Sequence, residues 1–164
     1  MLNAEWAGHE GVQERDLYVL GLESPEEFPD RLTLVSPRFV CVIAWDSRNI
    51  ENVRLYAFVE RLLRAGAVYV CAWGPDCERV HDTVDDVHLA ANLFSPDTPT
   101  LMTTWHSKEP LAETIWYALN CALPSDEYDE GCAAIVGLTI GAPNWFQEIR
   151  DAFSDPEKFS AKIP

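Results

Sequence analysis

Residues 39–45 read FVCVIAW and stop abruptly at Asp46-Ser47-Arg48-Asn49. A half-solvated strand or a surface helix would interrupt such a run with polar side chains. A strand covered on both faces would not. Three other stretches repeat the plan. Residues 67–73 (AVYVCAW) lead into Gly74-Pro75, residues 99–105 (PTLMTTW) into His106-Ser107, and residues 133–140 (AAIVGLTI) into Gly141-Ala142-Pro143.

Helical periodicity fills the intervals. About 50–65, Leu55, Phe58, Val59, Leu62 and Leu63 share one face, with Arg54, Arg61 and Arg64 opposite and Gly66 placed to end the helix. About 76–92, Val80, Val84, Val87 and Ala91 face inward, while Glu78, Asp82 and Asp86 face out. Ser107 is placed to cap a third helix reaching about 122, with Leu111, Ile115, Ala118, Leu119 and Ala122 as its apolar face. Pro143 opens a last helix striped by Phe146, Ile149 and Phe153.

Strands joined by helices imply right-handed crossovers and a mainly parallel sheet with helices on both faces. The expected fold is a three-layer α/β sandwich, flavodoxin-like or Rossmann-like. It forms one domain: residues 1–38 as an N-terminal extension, 39–153 as the βα core and 154–164 as a tail. Within the extension, 17–22 reads as a strand and 31–35 as an edge strand stopped by Ser36-Pro37. Residues 1–11 carry little pattern. The N-terminal region is expected to add an edge strand, antiparallel as one option.

Charge narrows the partners. The chain has 27 acidic and 12 basic side chains, a formal net charge of -15. Such a balance opposes phosphate backbones and anionic membranes, so direct nucleic-acid binding and membrane association are not expected. It suits a basic protein partner, or solubility alone. The five cysteines are odd in number and form no CxxC pair, which fits reduced, buried thiols in a cytoplasmic protein. No run of about 18 apolar residues and no basic-flanked apolar leader is present.

In an open parallel sheet, ligands bind beyond the carboxyl ends of the strands, where strand order reverses. That rule selects Asp46, Ser47, Arg48, Gly74, Asp76, Cys77, His106, Ser107, Gly141 and Asn144. Trp45, Trp73 and Trp105 each end a strand, and either wall one pocket for a base or sugar ring or close the core beneath the helices. Cys77, in the first turn of a helix, with His106 as base and Asp46 as orienter, has the composition of a nucleophilic centre. Asp76 and Glu78 work against it by raising the thiol pKa, and no G-x-S-x-G elbow or cysteine equivalent occurs.

Cys77, His81, Asp85 and His88 border one helix, but a single straight helix rarely completes a metal site, so none is expected there. An Asp46/Asp76 pair holding magnesium competes with ordinary turn and cap roles for both residues. Neither G-x-G-x-x-G nor G-x-x-x-x-G-K-[ST] is present, and any cofactor is left open.

The first functional expectation is a non-catalytic acidic interaction module, an inhibitor or immunity-type protein for a basic partner. The alternative is a small-molecule-binding protein or hydrolase using a strand-end pocket lined by Asp46, Cys77, His106 and the tryptophans. Mimicry of nucleic acid ranks last, because Arg54, Arg61, Arg64 and Arg79 interrupt the acids. Trp116, Tyr117 and Trp145 either form a homodimer face or close the core.

Overall fold

The run at 39–45 is the middle of a sheet. In the computed structural model, which describes residues 2–95 and 97–164 and only the backbone of 129 and 130, six strands order as β1-β2-β6-β3-β4-β5. They are β1 (Glu5–Glu10), β2 (Arg15–Leu22), β3 (Arg38–Trp45), β4 (Ala67–Trp73), β5 (Met102–His106) and β6 (Cys132–Ile140). β2 through β5 run parallel, and β1 is antiparallel to β2. No residue of β3 from Phe39 to Trp45 is more than 3 % exposed, as an uninterrupted apolar strand requires.

Helices cover both faces, giving the three-layer flavodoxin/Rossmann-like fold. α1 (Asn52–Ala65) and α2 (Cys77–Ala91) pack Leu55, Phe58, Leu62, Val80 and Val84 against Phe39, Cys41, Ile43 and Trp45. α3 (Leu111–Asn120) and α4 (Pro143–Ser154) pack Leu111, Ile115, Ile149 and Phe153 against Val40, Val42 and Ala44 on the other face. Alternate residues of one strand thus feed two separate cores. Gly66 ends α1 at φ 119°, and a Cβ there would lie 2.1 Å from the Pro37 carbonyl oxygen, so both conformation and space demand glycine.

Several segments depart from the sequence reading. Residues 5–10 form the edge strand β1. Its EWAGHE sequence hides it, because an edge strand with a register shift between Trp6 and Gly8 needs no apolar alternation. Residues 31–35 form no strand; Leu32 and Leu34 pack on the α1-side core while the Val35 N–H bonds to the Tyr18 hydroxyl. The expected tail contains α5 (Pro156–Ala161), capped by the Asp155 carboxylate on the Lys158 N–H. α3 begins after Pro110, so Ser107 does not cap it. β5 is a short, partly exposed edge strand, not one buried on both faces. Met1, in the unpatterned start, and Pro96 lie outside the described residues.

A buried ion pair ties the β1–β2 hairpin to the end of α3. Arg15 Nε bonds Glu10 Oε1 at 2.8 Å in a buried site, and its Nη atoms donate to the carbonyls of Ala122 at 3.0 Å and Leu119 at 2.8 Å. A guanidinium thereby satisfies the orphan carbonyls at the end of α3 and ties them to the β1–β2 hairpin.

Candidate binding site at the carboxyl rim

The chain steps outward from β3 to β4 to β5 with α1 and α2 on one face. It then returns through α3 on the other face to insert β6 between β2 and β3. After β3 the chain leaves toward the α1 face; after β6 it leaves toward the α4 face. The carboxyl ends of these neighbouring strands are therefore the switch point, and a crevice of about 540 Å³ opens there. Trp45, Ile50, Ile140 and Trp145 supply its apolar lining, and Glu23, Asp46, Arg54 and Asn144 supply polar groups.

Most charge in the crevice is neutralised in pairs. Arg48 grips Asp46 with Nε at 2.9 Å and Nη2 at 2.7 Å, which holds the Asp46 carboxyl below the usual range. Arg54 forms a two-pronged pair with Glu26, whose pKa falls to about 2 through those hydrogen bonds. Glu23 has no ion pair among the described residues, so the crevice carries a small negative excess.

Of the residues selected from sequence, Trp45, Asp46, Gly141 and Asn144 line this crevice. Ser47, Gly74 and Asp76 instead join the loop after β3 to the loop after β4. The Ser47 hydroxyl donates to the carbonyls of Pro75 and Asp76, and Arg79 bridges Asp76, Asn52 and the Ser47 carbonyl. Gly74, at φ 113°, is required because a Cβ would lie 2.3 Å from the Trp45 carbonyl oxygen. Asp46 and Asp76 each engage their own arginine.

The tryptophans do not share one wall, and register explains it. Ala44 pairs with Trp73, and Ala72 with Trp105, so each indole is one residue out of step with the next. Trp45 is buried on the α1 side, edge-on to Phe58 at 5.5 Å. Trp73 lies on the other face, bonded through Nε1 to the Glu109 carbonyl and set against Trp145 at 4.9 Å. Trp105 sits at the outer edge, 44 % exposed, against the ring of His81.

The Cys77 thiol lies by the His106 backbone, but the imidazole is on the other face of the sheet. The Asp46 carboxylate is held by Arg48, so the three side chains form no centre. Cys77 is 1 % exposed in the α2-side core, where burial pushes its thiol pKa up despite opposing backbone hydrogen bonds. The His106 imidazole turns to the α3 face, with Nδ1 2.9 Å from Glu109 Oε2, Nε2 3.0 Å from Thr104 Oγ1 and its ring against Tyr117. Thr104 and Glu109, absent from the sequence selection, give a hydroxyl–imidazole–carboxylate relay. Thr104 two residues before His106 on the strand and Glu109 three residues after it in the turn are the sequence signals. The Thr104 hydroxyl lies beside buried Cys71, so the relay fastens the turn before α3 to β5. Ser107 lies in that turn.

On α2, His81 contacts Asp82 and Asp85, and His88 contacts Asn92. Among the described residues no group of three or more His, Cys, Asp or Glu side chains is arranged to hold a metal. A second cavity, about 660 Å³, lies at the opposite end of the sheet between the last turns of α1 and α2, with Arg38 over the Tyr128 ring. Among the described residues no helix is long and apolar enough to cross a membrane.

Residues 17–156 match a family model described as a domain of unknown function (DUF7684). No curated protein matches the chain.

Proposed function

Because the chain belongs to the family described as a domain of unknown function (DUF7684), which brings no activity with it, we propose from geometry alone that it is a non-catalytic domain binding a small organic molecule between β3 and β6. The observation that carries this reading is the crevice itself. Its volume of about 540 Å³ falls within the roughly 300–1,000 Å³ usual for small-molecule sites, and it occupies the switch point of the sheet. Trp145, braced edge-to-face by Trp73, offers an indole to the ligand. Paired charges and the lone Glu23 favour a neutral or cationic ligand with an apolar body over an anion. A buried Cys77 with a raised pKa supports binding over thiol hydrolysis.

The test is a thermal-shift and tryptophan-fluorescence screen of small aromatic amines, neutral aromatics and aromatic carboxylates, repeated on Ala142→Trp, which fills the crevice. Ligands are expected among the amines and neutral compounds, and binding is expected to vanish in the variant. No ligand, a set dominated by carboxylates, or binding unchanged in Ala142→Trp each overturns the reading.

A second reading is an interaction module for a basic protein, of the inhibitor or immunity type. It is favoured by the acidic outer face of α2 beside the partly exposed edge strand β5. Cys41, Cys71 and Cys77, buried as thiols, support a reducing cytoplasmic setting for either reading.

A further inference from the structure

β5 ends the sheet, paired with β4 alone among the described strands. An edge strand presents a row of unpaired backbone groups, which proteins usually blunt with charge, proline, a bulge or a covering element. Met102-Thr103-Thr104-Trp105 has no charge and no proline, and its register with β4 has no bulge. Trp105 and Met102 are instead large apolar groups left exposed there. The end of α2 and the residues after it add exposed Leu89, Leu93 and Phe94.

Charge says what fits. α2 packs beside β5, with the His81 ring 4.5 Å from that of Trp105. Its exposed side chains include Glu78, Asp82, Asp85 and Asp86, and its one arginine, Arg79, is held by Asp76. Desolvation, with Asp82 and Asp86 close by, raises the Asp85 pKa while His81 and His88 oppose it. A second copy pairing antiparallel on β5 would set two α2 helices on the same face of a continuous sheet, acids against acids. A cationic strand meets no such repulsion.

We propose that β5 is a docking edge that another protein extends with a basic, extended segment, pairing backbone to backbone along Met102–His106 while alternate Lys or Arg side chains reach Asp82, Asp85 and Asp86. This deepens the interaction reading and is independent of crevice occupancy.

The probe is a labelled Lys-Val-Lys-Val-Lys-Val-Lys amide, followed by anisotropy and by amide chemical shifts of the protein. Three controls accompany it: the same peptide N-methylated along one edge, a Glu-Val counterpart, and the D82N/D85N/D86N variant. Binding is expected with shifts centred on 102–106. N-methylation is expected to weaken it about tenfold or more, since several backbone hydrogen bonds are lost. The Asn variant and added salt should weaken it severalfold, and the Glu-Val peptide should not bind. Equal binding of the N-methylated peptide, or shifts spread away from β5, would mean unspecific attraction to an acidic surface and overturns the proposal. So does absence of binding, or sedimentation showing a β5-mediated dimer. Ala142→Trp should bind the peptide normally, which separates failure here from failure of the crevice reading.

Discussion

The two edges of the sheet are finished differently. β1 is shifted in register between Trp6 and Gly8, and Glu10 on it is buried with Arg15. Arg150 of α4 reaches Glu5 at 3.5 Å, and a Cβ at Gly8 would lie 1.9 Å from the Phe153 carbonyl oxygen. The C-terminal helices thus close over that side. β5 has none of these devices: its register is regular and its residues are uncharged through Trp105, although both edges carry an exposed indole, Trp105 here and Trp6 on β1. α4 and α5 pack against the β1 side, whereas no described strand pairs with the outer side of β5.

Breaking the closed edge has the largest expected effect. Arg15→Ala leaves Glu10 as a buried charge without its cation and the α3 carbonyls without donors, so denaturant unfolding should show a loss of about 3–5 kcal/mol. Gly8→Ala tests how closely α4 approaches β1. The backbone must part by more than an ångström, and a loss of about 1–3 kcal/mol is expected, with faster hydrogen exchange confined to β1 and α5 if the closure is local.

Asp85→Asn sharpens the contrast from the open side, with the smallest effect on stability. The folded pKa of Asp85 is raised, so its ionised form is disfavoured by folding. That cost is absent below the ordinary aspartate pKa of 3.8, grows as pH rises through the folded value and persists at neutral pH. Removing a half-exposed charge should therefore stabilise by only a few tenths of a kcal/mol at neutral pH, and by nothing in acid, while weakening the basic peptide. Destabilisation at neutral pH would show that the His81 contact outweighs the acidic crowding.

The core elements were legible because their signal is local. FVCVIAW, AVYVCAW and AAIVGLTI each state in a few residues that both faces are covered, and Gly66 states where α1 stops. PTLMTTW resembles them, yet its Thr-Thr pair and early proline belong to a short edge strand. β1 and α5 were not legible, since their order comes from docking against α4 and from caps.

Rim residues follow the same division. Where a strand ends is a local fact, so Trp45 and Asp46 at the end of β3, and Gly141 and Asn144 in the turn and helix start after β6, could be named from sequence alone. Glu23, Arg54 and Trp145 join them only because the chain returns and inserts β6 beside β3.

By itself, then, the sequence determined the buried central strands and the four long helices, because hydrophobic period acts over a few residues; it did not determine β1, α5 or the irregular path of 31–35. Tertiary structure alone decided that the indoles alternate between faces, that His106 turns to Glu109 and away from Cys77, and which strand is left at the open edge. Those outcomes depend on strand order and on pairing offsets of a single residue, which are set by contacts between segments far apart in the chain.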